Sequence, residues 1–174
     1  MPSVPASTLY PFRLLPKFTE TSLVNLALAS GLLGYALGIE GTLPSCPATG
    51  QGTYSFDFRP HSAIDVCYSH LNGQVEIDAV FTARRAGVET LFVVEAKASN
   101  ELRQIAKHKL LYPVLSLKDR VPVNMTICPV YLRAVRRPGE LHFYIAEIEH
   151  EDGMPLNELK VRRRRHLVLA GMTD

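Results

Sequence analysis

Residues Val75–Ala98 read VEIDAVFTARRAGVETLFVVEAKA. β-Branched and aliphatic residues dominate both halves, and Ala86-Gly87 supplies a turn between them, so the stretch predicts two strands joined as a hairpin. Strand residues two apart share a face. Glu76 and Asp78 therefore fall together on the first strand, and Glu95 and Lys97 on the second. If the strands are neighbours, three carboxylates and one ammonium converge. Such a gathering is costly unless something neutralises it, and a divalent cation does so directly. Leu91, Phe92, Val93 and Val94 are apolar in succession, the mark of a strand buried on both faces. A buried strand that turns charged at its end places a site at the edge of the core.

The rest of the chain frames that pair. Its 174 residues, 47% hydrophobic and 21% charged, predict one domain with a real core, residues 1–174. A net charge of +2 does not by itself announce a nucleic-acid partner, so any basic surface must be local. Cys46, Cys67 and Cys128 are few and widely spaced, which fits reduced thiols in a cytoplasmic protein better than a disulfide framework or zinc site. No apolar run reaches the ~18–20 residues a bilayer requires. The N-terminus lacks the basic segment and apolar core of a signal peptide.

Pro2, Pro5, Pro11 and Pro16 predict an extended arm over residues 1–18. Leu23, Leu26, Ala27, Ser30, Leu33, Gly34 and Leu37 recur at helical spacing, so residues 20–38 are expected to form one helix, capped by Thr19 or Thr21. Residues 40–52 read as a loop, and Tyr54, Phe56 and Phe58 as a half-buried strand. Residues 64–68 are a short strand or bend, and Leu71-Asn72-Gly73-Gln74 carries a turn signal. After Lys97, Ser99 or Asn100 caps a helix with Leu102, Ile105, Ala106 and Leu110 on its apolar stripe, ending by Pro113. Two strands, 125–135 and 141–148, follow as a hairpin around Pro138-Gly139. KVRRRRHLVLAG at the C-terminal end is a last strand or helix start. Arg162, Arg163, Arg164 and Arg165 there form either a phosphate-binding patch or a solvated edge.

Hydrolysis of a phosphodiester needs an activated water, stabilisation of charge on the phosphoryl oxygens, and help for the leaving alkoxide. Magnesium held by one or two carboxylates meets several of these needs, and a lysine beside it can orient or deprotonate the water. Asp78, Glu95 and Lys97 supply those groups. Glu76, about 7 Å along the strand from Asp78, is a supporting ligand or an exposed strand charge.

These residues resemble a known motif. Asp78, an interval of 16 residues, and Glu95-Ala96-Lys97 after the apolar run look like the motif of the PD-(D/E)XK nuclease superfamily. Ile77 stands where many members carry proline. The resemblance implies an α/β fold, the restriction-endonuclease-like αβββαβ core, with a mixed sheet flanked by helices. It implies Mg²⁺ or Mn²⁺ bound by Asp78 and Glu95, and DNA as substrate. The first-helix acidic ligand would fall on Glu20, or less naturally Glu40, and an accessory glutamine on Gln104. A type II restriction enzyme is the role it suggests, with specificity from loops such as 40–52 and from a homodimer. A repair or junction-resolving nuclease shares the site, and an inactive nuclease fold would serve as a nucleic-acid-binding subunit. A bare ion pair of Lys97 with Glu95 or Asp78 is the structural alternative.

Overall fold

A computed structural model of the chain describes residues 4–43, 46–99 and 106–171. Three helices come first: α1 (Ala6–Arg13), α2 (Glu20–Ala29) and α3 (Leu32–Leu37). They precede strands β1 (Ala48–Phe58), β2 (Tyr68–Arg85) and β3 (Val88–Ala98). Helix α4 (Lys107–Leu117) then leads to β4 (Thr126–Arg137), β5 (Glu140–Glu149) and β6 (Lys160–Ala170). The six strands form one mixed sheet in chain order. Every neighbouring pair is antiparallel except β3 and β4, which are parallel and joined through α4. The molecule is thus mixed α/β with a mostly antiparallel sheet.

Alternation along the strands sorts the core into two layers. Phe81, Phe92, Val94, Leu132 and Phe143 face α2 and α3, whose Leu23, Leu26, Leu33 and Leu37 complete the larger cluster. Val80, Leu91 and Val93 face the other way, onto Leu111, Val114 and Leu115 of α4. The β2–β3 connection is the expected turn, with Ala86 and Gly87 at φ 50° and 75°. Positive φ at both central positions suits the right-handed twist of a tight hairpin.

Several expectations fail for identifiable reasons. The N-terminal segment is not extended throughout: α1 forms despite Pro11 within it. One lost backbone donor is tolerated because the helix buries Leu9 and packs Phe12 on the main core. The long helix expected over 20–38 is two helices, broken where Gly31 adopts φ 72°. Thr19 caps the first of them, its hydroxyl oxygen accepting from the Ser22 amide at 3.1 Å.

Asn72-Gly73 is not a turn but lies inside β2, beside a register shift against Tyr54 and Phe56. Asn72 takes φ 47° there, and its amide donates to the Ser55 hydroxyl at 2.9 Å. Strand pairing has turned a hairpin signal into a bulge. Residues 64–67 are not strand, which begins at Tyr68. Ala48–Gly52, expected as loop, open β1. Pro113 sits inside α4 rather than ending it, because Leu110, Leu111, Val114 and Leu115 hold the helix against the sheet. The residues expected to begin that helix, 100–105, lie outside the described ones. The arginine-rich C-terminal segment is a strand on the sheet's edge.

Candidate active site

β2 and β3 pair from Arg85↔Val88 as far as Ala79↔Val94. Beyond that point they part: β2 stays with β1, while β3 continues beside β4 to Ala98↔Ala134. Asp78 and Glu95 are the next residues on either side of the opening. Since Val80 and Val93 face α4, strand alternation puts Asp78, Glu95 and Lys97 on that same face. The Asp78 carboxylate bridges the start of the gap, its Oδ2 accepting from the Ala96 amide at 2.8 Å. The opening also lets Glu20, the first residue of α2, reach the site, and the Lys97 ammonium donates to its Oε1 at 2.8 Å. Lys97 Nζ lies 3.2 Å from Glu95 Oε1 as well.

Burial decides the electrostatics. Glu95 is 7% exposed, and its buried Oε1 is met by the Lys97 ammonium as an ion pair. Burial, and then the neighbouring Asp78, push its carboxyl up to about 7. Burial also raises Asp78, against the pull of the Ala96 amide and Lys97, with Glu20 and Glu76 adding to the rise. Burial alone would lower Lys97, but its bond to Glu20 and its pairing with Glu95 carry the ammonium above the ordinary lysine range. Two carboxylates are thus held where ionisation is unfavourable, next to an amine that stays charged.

Among the described residues, no three His, Cys, Asp or Glu side chains form a ready-made metal cluster. Magnesium does not require one: it takes one or two carboxylates and completes its octahedron with water and phosphate oxygens. Asp78 and Glu95 are hard oxygen donors of that kind, and a cation beside them would offset the burial that raises both carboxyls. The residues fit the group.

Two clefts flank the carboxylates. One, of about 270 Å³, is lined by Gln74, Glu76, Glu95, His108, Lys109 and Tyr112, with Val75 and Pro113. The other, of about 240 Å³, lies between Thr21, residues 49–51 and Glu76–Asp78. Glu76 is exposed and belongs to both walls. Tyr112 and Gln74 were not singled out by sequence. Tyr112 follows His108 by one helical turn, but without the rotation of α4 nothing aims it at Glu95. Tyr131 and Arg133 also arrive unannounced, as the parallel partners of Glu95 and Lys97.

Gln104 lies outside the described residues. Arg162–Arg165 are not brought to the carboxylates: they stand on β6, three strands from β3, and are exposed.

Residues 8–167 match the family described as Domain of unknown function (DUF6997). The chain belongs to that family. No curated protein and no solved structure matches it. In this DUF6997 chain the match takes in every residue of the carboxylate site, from Glu20 to Lys97. Among its described residues no helix is long and apolar enough to cross a membrane.

Proposed function

We propose that this protein is a metal-dependent endonuclease of the restriction-endonuclease-like fold, hydrolysing DNA phosphodiester bonds. The observation that carries the reading is the meeting of Asp78, Glu95 and Lys97 at the point where β2 and β3 separate, with Glu95 buried beside the Lys97 ammonium. The element order supports it: helix, three antiparallel strands, helix, then a fourth strand parallel to the third. That is the αβββαβ order such a core requires.

Asp78 and Glu95 would hold Mg²⁺ or Mn²⁺, which when bound supplies charge neutralisation at the scissile phosphate and a more acidic water. The chain's own contributions follow from the geometry. Lys97 is held charged by Glu20 and Glu95, so it serves as a hydrogen-bond donor and a fixed positive charge for the phosphoryl oxygens rather than as a base. Glu20 positions that amine. Lys109, in the wall beside Glu95, places a second cation where a substrate phosphate would enter. A type II restriction enzyme acting as a homodimer is the role we favour.

A second reading has its own support. The 2.8 Å bond between Lys97 and Glu20 occupies the amine, as expected of a nuclease fold retained for binding without cutting.

Plasmid DNA incubated with Mg²⁺ and with wild type, Asp78→Ala or Lys97→Ala separates the two. Cutting by wild type and its loss in both variants is expected. Unchanged cutting by the variants would refute the assigned roles, and binding without cutting by wild type would establish the second reading.

A further inference from the structure

A third cleft lies on the opposite face, at the far end of the sheet. From Asp78 to Arg85 is seven residues of β2, about 23 Å. The cleft encloses about 510 Å³ between the end of α3, the β2–β3 turn and β6, and Glu40, Arg85, Glu147, Arg162 and Arg163 line it. Its volume falls within the roughly 300–1,000 Å³ of small-molecule sites.

Glu147 organises it. This carboxylate is 5% exposed, and Arg85 donates to its Oε2 at 2.7 Å. Its other oxygen, Oε1, is buried without a hydrogen bond to any described residue; Arg163 Nη1 meets it as an ion pair at 3.6 Å. A buried carboxylate oxygen that lacks a hydrogen bond is costly, so the atom has room for a donor. The two cations beyond it are placed by a bulge. Glu147 pairs with Arg163 and Ile148 with Val161, leaving Arg162 as the extra residue of β6. Bulges re-aim side chains in this way, and here two consecutive arginines line one cleft.

The chemistry of a ligand follows from these groups. Guanidinium forks donate and match phosphate oxygens. A carboxylate oxygen accepts, so an oxyanion that also carries a proton complements both the guanidiniums and Glu147 Oε1. Sulfate, with none, would set a bare oxygen against the carboxylate. The geometry points to a binding site for a protonated phosphate group, held by Arg162 and Arg163 and donating its O–H to Glu147. Free hydrogen phosphate and the phosphate of a nucleotide share that chemistry.

Calorimetric titration of the full chain at pH 6.5 with inorganic phosphate, sulfate and a nucleoside monophosphate tests it. Phosphate should bind at least ten-fold more tightly than sulfate. Displacement of phosphate by the nucleotide would identify the nucleotide as the source, and no displacement the free ion. The double variant Arg162→Gln, Arg163→Gln replaces exposed side chains and should keep its circular dichroism spectrum while losing at least ten-fold in phosphate affinity. Equal affinity for sulfate, no binding at millimolar phosphate, or undiminished binding by the folded double variant would overturn the assignment.

Discussion

Replacing Glu95 by glutamine tests the electrostatic core of the site without DNA. In the metal-free protein this carboxyl rises from an ordinary 4.5 to about 7 through burial and the neighbouring Asp78. At 1.36 kcal/mol per pH unit that is about 3 kcal/mol between the two protonation states. The sign follows from which state holds the proton. A carboxyl whose folded value is raised stabilises the fold fully below its unfolded value, and that stability drains away as pH rises from 4.5 to about 7. Asp78 is raised in the same direction and adds to the slope. Lys97, raised above the ordinary lysine range, changes stability only in strongly alkaline solution.

Urea unfolding in EDTA should therefore find the wild type less stable at pH 8 than at pH 4.5 through these groups. Glu95→Gln should remove about 3 kcal/mol of that difference and be the more stable protein at pH 8. The glutamine keeps shape and polarity, so the difference reports charge. Parallel stability–pH curves for the two proteins would refute the reasoning.

Other outcomes follow from the packing and the caps. Phe92 is fully buried and stacked with Phe81, so Phe92→Ala should cost about 3–5 kcal/mol in denaturant unfolding. Thr19→Ala removes the hydroxyl that accepts the Ser22 amide; about 1 kcal/mol should be lost in thermal unfolding. Gly31→Ala places a side chain at φ 72° and should cost about 1–2 kcal/mol in the same assay.

The sequence carries the site more clearly than the helices around it. Leu91–Val94 announces a doubly buried strand by composition alone, and period-2 alternation then aligns Glu95 with Lys97 and Glu76 with Asp78. The Ala86-Gly87 turn sets the register that brings Asp78 opposite Glu95. The threonine cap places Glu20 at the start of α2, but only the resemblance to the nuclease motif points it toward the carboxylates. What was hidden depends on tertiary packing. Gly31 reads equally as a close-packing residue or a break, and only the paths of α2 and α3 over the sheet decide. Pro11 and Pro113 look like stops, yet the burial of Leu9 and of Leu110 with Val114 outweighs the lost backbone bond. Asn72-Gly73 carries a hairpin's residues, but β1 pairs past it. Tyr112 faces the carboxylates through the rotation of α4, which depends on where that helix starts. The cleft around Glu147 was invisible because a bulge of one residue, unmarked by glycine, aims Arg162 and Arg163.

The central claim is that Asp78, Glu95 and Lys97 act together on a phosphodiester. The most direct measurement is the rate of Mg²⁺-dependent cleavage of end-labelled duplex DNA by wild type and by folded Lys97→Met, which keeps the side chain's bulk and removes its charge. A fall of about 10²-fold or more is expected, on the scale set by losing one group that stabilises transition-state charge. Equal rates, with both proteins cutting, would contradict the account.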